Sequence, residues 1–206
     1  AEIILVGGAA ILINYGFREM TYDIDAVITA SSAMKDAVNA TGDRLGLANG
    51  WLNADFMSTS SYSPKLSQYS KYYRTYSNVL TIRTISAEYL VAMKLMSGRR
   101  YKKDLSDIIG ILSEQEKMGE PLSYQQIDCA VNNLYGGWET ISEYAVQVLK
   151  AAFNTENLTE LFIEQAREET LSKQAVLQVQ NDNVERVSES NIDAIIQKAL
   201  NKKKMT

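Results

Sequence analysis

The sequence predicts an α+β fold: a mixed sheet flanked by helices, followed by an all-helical C-terminal part. Three observations predict it. Ile3-Ile4-Leu5-Val6 is an apolar, partly β-branched run that stops at Gly7-Gly8, as a buried strand ending in a sharp turn does. Residues 79–85 form a second such run and lead into helical periodicity at Ser86. Beyond Gly119-Glu120-Pro121 the apolar residues recur only at helical spacing.

The elements follow in chain order. Residues 9–13 read as a short helix whose first amides lie bare behind the glycines, and such an end suits phosphate. A strand is expected over 23–29, where alternation puts Asp23 and Asp25 on one face and Ile24 on the other. A helix follows over 32–45, with Ser31 or Ser32 as cap and Met34, Ala37, Val38 and Leu45 inward; Gly42 weakens its end. Glycines 46 and 50 break the chain before an apolar patch at 51–56, and a long polar stretch then reaches the strand at 79–85. Ser86 caps a helix that runs to Gly98, with Glu88 favourable in its first turn and an amphipathic face on the sheet. Another helix is expected over 105–116.

Pro121 marks a boundary, giving a first domain over 1–118 and a helical domain over 119–206. Ser123-x-x-Gln126 is a capping box that opens a helix to Leu134, and Gly136-Gly137 ends it. The next helix is expected over 138–153. A third spans 155–178, with Leu158, Leu161, Phe162, Gln165, Ala166 and Glu169 at helical spacing. A loop at 181–183, a short helix over 190–199 and a solvated Lys202-Lys203-Lys204 tail complete the chain.

Composition narrows the chemistry. Apolar content of 46% and charged content of 22% are those of an ordinary globular protein, and 206 residues allow one large or two small domains. No apolar run approaches the roughly 20 residues that span a bilayer and no signal-peptide pattern is present, so a cytoplasmic protein without membrane contact is expected. The single cysteine, Cys129, makes no internal disulfide and is expected as a small core residue, as in a reducing compartment. There is no histidine, which excludes Ser-His-Asp and Cys-His nucleophiles and histidine-based zinc sites. Carboxylate and magnesium chemistry survives that filter.

Charge is unevenly spread. Lys65, Lys71, Arg74, Arg83, Lys94, Arg99, Arg100, Lys102 and Lys103 face only Glu88 within 65–103, whereas acids predominate on either side. Tyr62, Tyr69, Tyr72, Tyr73 and Tyr76 interleave with this basic segment. Such a mixture suits a groove for a nucleotide or a single strand, or equally a solvated Ser/Tyr-rich loop.

Asp23 and Asp25 would stand about 7 Å apart along a strand, close enough to converge on a hard cation. Magnesium takes one or two carboxylates together with substrate phosphates. The rival dinucleotide reading of Val6-Gly7-Gly8 lacks the third glycine of that fingerprint. Lys103-Asp104-x-x-Asp107 has two readings: Asp104 as the N-cap and Asp107 at the N3 position of a helix over 105–116, or Lys103 as a point charge for phosphate.

Gly7-Gly8, Arg18, Thr21, Asp23-Ile24-Asp25 and Lys103-Asp104-Leu105-Ser106-Asp107 together resemble the signature of the DNA polymerase β-type nucleotidyltransferase superfamily. The chain is most similar in flavour to its bacterial branch that includes the AbiE-type toxins, with their MNT-like fold, and the matched features extend to about residue 112. The resemblance implies a nucleotidyltransferase sheet within 1–118, with a helix ahead of the first strand. It implies Mg2+ (or Mn2+) held by Asp23 and Asp25, and a nucleoside triphosphate gripped by Gly7, Gly8, Arg18, Thr21 and Lys103, with Asp104 and Asp107 in support. Superfamily enzymes use a third carboxylate from a neighbouring strand; the strand at 79–85 holds no acid, and Asp55 is the expected substitute. Implied acceptors are an RNA end such as that of tRNA, a protein side chain or a small molecule, and an antitoxin is an implied partner. The alternative is a catalytically inactive binding or regulatory module on the same fold.

Overall fold

In the computed structural model, which describes residues 1–21, 23–181 and 191–197, the chain builds outward from β1 (Glu2–Leu5). Ile3, Ile4 and Leu5 are all buried, because β1 is the central strand of a five-stranded sheet and is covered on both faces. That is why its sequence is a continuous apolar run rather than an alternating one.

The strand order is β3-β2-β1-β5-β4. β2 (Ile24–Thr29) pairs antiparallel with β1, bringing Leu5 opposite Ala26. β3 is the two-residue strand Leu52–Asn53, parallel to β2. On the other side β5 (Leu80–Ile85) runs parallel to β1, and β4 (Ser70–Tyr76) closes the edge antiparallel to β5. The fold is α+β with a mixed sheet, as the sequence predicts.

α1 (Gly7–Asn14) follows β1 directly, and α2 (Ser32–Leu45) follows β2 with Ser31 as its N-cap and Gly46 closing it in the left-handed region. α3 (Ala87–Ser97) packs against α1, against α4 (Asp104–Lys117) and against α5 (Tyr124–Tyr135). α6 (Glu143–Asn154) and α7 (Leu158–Asn181) lie against α4. One buried cluster runs from Ile3 through Leu90 and Ile109 to Leu149 and Ala152. The capping box at Ser123 and Gln126 forms in full, and Gly136 ends α5 at a φ of 83°. Residues 192–197 are helical. Asp182-Asn183 and the Lys202-Lys203-Lys204 tail lie outside the described residues. No helix among the described residues is long and apolar enough to cross a membrane.

Several expectations are corrected. The polar stretch before residue 79 is not loop throughout: it contains two 3-10 turns, Asp55–Ser58 and Pro64–Tyr69, and then β4. β4 is an edge strand with both faces largely exposed, so it carries no apolar alternation. It turns into β5 across Ser77 and Asn78, whose φ values of 48° and 55° suit the tight turn that matches strand twist. α3 is not amphipathic: Ala87 and all of 89–95 are buried because helices surround it. Leu45 is exposed, since α2 ends beyond the sheet. Gly42 is the position where α2 meets Trp51, and an added Cβ there would stand 2.6 Å from the indole nitrogen. Cys129 is exposed, because the inward positions of α5 are Ile127, Ala130, Val131 and Leu134 and residue 129 falls on the opposite side. The helix expected from 138 starts at Glu143, after a turn in which the Trp138 indole N–H donates to Asp128.

Candidate active site

The turn from β1 into α1 is built on two bare backbones. Gly7 sits at a φ of 54°, and a Cβ on it would stand 3.5 Å from Asp25 Oδ2. A Cβ on Gly8 would meet Arg18 Nη1 at 2.6 Å and Thr21 Oγ1 at 2.9 Å. The glycines thus admit Asp25 on one side and Arg18 with Thr21 on the other. The N-cap of α1, Val6, supplies no side-chain hydrogen bond, which leaves the first-turn amides to other acceptors.

Asp23 precedes β2 and is exposed, while Asp25 lies within β2 and is half-buried. The Thr21 hydroxyl donates to the Asp23 carbonyl and fixes the entry into the strand. Burial raises the Asp25 carboxyl above its ordinary value; Asp23 pushes it further up, Lys94 and Arg99 oppose that, and Asp55 adds a smaller push. Asp25 thus feels the charge of two other acids, Asp23 and Asp55, and of two cations, Lys94 and Arg99. Asp55 opens the 3-10 turn just after β3, the strand beside β2. Among the described residues no cluster of three or more acids, cysteines or histidines is gathered closely enough to hold a metal by itself. Asp23 and Asp25 fit a cation whose remaining ligands come from phosphate: a half-buried carboxylate repelled by a second one is stabilised by positive charge.

Behind this carboxylate edge lies a buried ionic network. Lys94 Nζ is 2.9 Å from Asp104 Oδ1 and 2.8 Å from Asp107 Oδ2. Arg99 Nε donates to Asp104 Oδ2 at 2.7 Å, and Arg18 Nη1 to Asp107 Oδ2 at 3.3 Å. Burial disfavours the Lys94 charge, but Asp104 and Asp107 outweigh it and hold the ammonium above its ordinary value. Burial likewise opposes the Asp104 charge, and Lys94 and Arg99 overcome it, bringing that carboxyl down to about 2. The first turn of α4 carries both acids, so this turn positions three cations. Three positive groups against two negative ones leave the network with a positive excess. Arg99 remains partly exposed and so has capacity for an anion, whereas Arg18 Nε is buried with no partner.

Asp104 and Asp107 are thus brought to the site's rear wall, where their carboxylates are occupied by cations. Their reading as helix caps does not hold: Lys103 is the N-cap of α4, and the acids accept from side chains rather than from the helix amides, apart from a long contact to the Arg99 amide. Lys103 itself is exposed, with its carbonyl accepting from the Asp107 amide. In the sequence Arg99 stands out only as a member of a basic segment, and Lys94 only as a member of that segment and of the helix after Ser86. The signal for Lys94 was available: one lysine within the apolar run Tyr89-Leu90-Val91-Ala92-Met93-Lys94-Leu95 must be paired to be buried.

The tyrosines of the basic segment divide into two groups. Tyr69 stacks on Tyr89 and Tyr62 meets Phe56 edge-on inside the protein. Tyr72, Tyr73 and Tyr76 are exposed along β4 with Arg74 over the Tyr76 ring. An apolar groove of about 360 Å³, lined by Ile24, Trp51, Tyr73, Tyr76 and Ile82 among others, lies on the sheet face to which Ile24 points. Alternation turns Asp25 away from it, so this apolar groove is not the polar site.

The family described as a nucleotidyltransferase of unknown function, DUF6036, matches residues 1–118. Comparison with curated proteins and with solved structures gives no match.

Proposed function

The chain belongs to this nucleotidyltransferase family, and from that premise we propose that it transfers a nucleoside monophosphate from a nucleoside triphosphate to a hydroxyl acceptor. The observation that carries the reading is the glycine turn at the head of α1, where Asp25 Oδ2 would stand 3.5 Å from a Cβ on Gly7 while Arg18 and Thr21 close on Gly8 from the other side. Asp23 and Asp25 would hold Mg2+ or Mn2+. When bound, that cation neutralises the triphosphate and polarises the phosphorus under attack.

The chain's own groups do the rest. The amides after Gly7 and Gly8, with Arg18 and Arg99, receive phosphate oxygens; Thr21 holds the entry to β2, and Lys103 adds an exposed charge at the same end of α4. Asp55 orients the acceptor hydroxyl and takes up its proton. A new acceptor oxygen–phosphorus bond forms as the bond to the pyrophosphate leaving group breaks. RNA, such as a tRNA end, is the acceptor class that the exposed Tyr72, Tyr73 and Tyr76 beside Lys71 and Arg74 support, since aromatic faces and cations are what a single strand uses. Tyr73 and Tyr76 line the groove on the face away from Asp25, so they would hold the body of the strand and not its reacting end. A protein side chain or a small molecule is the alternative acceptor. A toxin role with a partner antitoxin follows from the AbiE-like pattern of the motifs.

A second reading, a non-catalytic module that binds nucleotide or RNA, is favoured by one observation: β3, whose Asn53 pairs with Asp25, contains no acid, and the one acid of β1, Glu2, lies opposite Thr29 at the far end of β2. The deciding assay is magnesium-dependent transfer from each of four α-labelled nucleoside triphosphates onto total RNA and, separately, onto cell protein. Label that appears on one acceptor and vanishes in Asp23→Ala/Asp25→Ala is the expected result. No label on any acceptor, from folded protein, establishes the binding-module reading.

A further inference from the structure

We propose that Glu169, far along the chain in α7, is a positioning residue of the nucleotide site, which it reaches through the first turn of α4. The proposal rests on the nucleotidyltransferase reading given above. Its starting point is a helix without a cap of its own. Lys103, the N-cap of α4, supplies no side-chain hydrogen bond, yet the turn that follows is buried and its amides need acceptors. Glu169 meets that need from 63 and 64 residues away. Its Oε1 accepts from the Leu105 amide at 2.8 Å and from the Ser106 amide at 3.3 Å, and its Oε2 accepts from the Ser106 hydroxyl at 2.5 Å. Glu169 is 3% exposed, so water cannot take its place.

The turn that Glu169 grips is the one that carries Asp104 and Asp107. Those carboxylates hold Lys94, Arg99 and Arg18, and Arg18 in turn rests against Gly8. The path from α7 to Arg18 is therefore a continuous set of hydrogen bonds and ion pairs between buried or part-buried groups, and the packing of Arg18 against Gly8 carries it to the start of α1. Each link is geometric: α7 fixes α4, α4 fixes two acids, and the acids fix three cations. Loss of the Glu169 carboxylate would leave the α4 amides unpaired and let the acids shift. The cations would then face the nucleotide from altered places. Supporting groups of this kind change ligand affinity without touching the ligand.

Three variants, Glu169→Ala, Glu169→Gln and Ser106→Ala, separate this role from simple packing. Gln keeps an acceptor for both amides and a polar partner for the Ser106 hydroxyl, so it should rescue. The readouts are Mg–ATP and Mg–GTP affinity by calorimetry, and the reactivity of Lys94 toward an acylating reagent read by mass spectrometry. Glu169→Ala, folded by circular dichroism, is expected to bind at least one of the two nucleotides about tenfold more weakly, the lower end of what supporting groups contribute. Glu169→Gln should stay near wild type, and Lys94, protected in wild type, should become reactive in the Ala variant alone. Should Glu169→Ala fail to fold, Ser106→Ala should still weaken binding and expose Lys94 to a smaller degree. Wild-type affinity and a protected Lys94 in the folded Ala variant, or in Ser106→Ala where that variant alone folds, would overturn the proposal. If wild type binds neither of these nor CTP or UTP, the nucleotidyltransferase reading fails, and Lys94 reactivity still decides whether α7 sets the cation network.

Discussion

Lys94 Nζ lies 2.8 Å from Asp107 Oδ2 in a contact where the lysine and aspartate side chains are 10% and 3% exposed. A pair removed from water this completely costs desolvation on both sides, and its worth lies in what happens when one partner is lost. Lys94→Met would leave Asp104 with only Arg99 and Asp107 with only Arg18 at its longer 3.3 Å contact. The expected loss of stability is about 3–5 kcal/mol, the cost of an uncompensated buried charge. Urea unfolding of the two proteins measures it; a change of a few tenths would mean that the pair is solvated.

Two buried acids give the stability curve opposite slopes. Asp104 titrates at about 2 in the folded chain against an ordinary 3.8. Its contribution is present above 3.8 and is lost as pH falls from there toward 2. Glu169 is the reverse case: burial raises it, against the pull of the Ser106 hydroxyl and the Leu105 and Ser106 amides, to about 8 from 4.5. The folded chain then binds the extra proton, so its stability should decline as pH rises from 4.5 toward 8. Unfolding free energies of wild type and Glu169→Gln between pH 5 and pH 8.5 test the second slope, using buffers on either side of the value near 8. The wild-type decline should be absent from the Gln variant.

Much of this architecture is legible in the residues, and the losses have physical causes. β1 and its glycines, the acids of β2, the Ser123 capping box and the helices after Pro121 announce themselves because each rests on local rules. β4 does not: an exposed edge strand needs no apolar alternation, so Lys71 to Tyr76 reads as a loop. The rear wall of the site was half visible. Asp104 and Asp107 stand out as a motif, but their partners Lys94 and Arg18 come from other elements, and only the fold brings them together. Glu169 shows the same limit. Helical spacing places it on the inward face of α7, yet nothing in the spacing says that its target is the start of α4.

Asp23 and Asp25 are electrostatically linked, with Asp23 raising the Asp25 carboxyl after the larger effect of burial. Asp23→Asn should bring Asp25 down, though not to its ordinary value, because the burial remains. Carbon-13 NMR titration of the Asp25 carboxyl reads this directly. Magnesium added to wild type should move the same signal in the same direction, since a cation favours the ionised form. An Asp25 signal indifferent to both changes would place the two carboxylates too far apart to share a metal.

Gly8 and Gly42 meet nearly the same crowding, and they should respond differently to Ala. At Gly42 the new Cβ would lie 2.6 Å and 2.8 Å from two atoms of the Trp51 ring, a rigid body wedged beside β3. Relief there requires α2 to shift, with an expected cost of roughly 1–3 kcal/mol for overpacking. At Gly8 the nearest atom, at 2.6 Å, is the Arg18 Nη1 tip, which a flexible side chain withdraws, and the next, at 2.9 Å, is Thr21 Oγ1, which rotates aside at the cost of its hydrogen bond to the Asp23 carbonyl. Withdrawal sacrifices the 3.3 Å contact to Asp107 and moves Arg18 away from the α1 amides, while Ala is favoured over Gly in a helix by up to about 1 kcal/mol. Gly8→Ala should therefore unfold close to wild type yet bind Mg–nucleotide more weakly, and Gly42→Ala should lose stability with nucleotide affinity retained. Urea midpoints and calorimetric affinities measured on both variants distinguish the two. Equal losses in both quantities at Gly8 would show that Arg18 braces the fold rather than the phosphate end of α1.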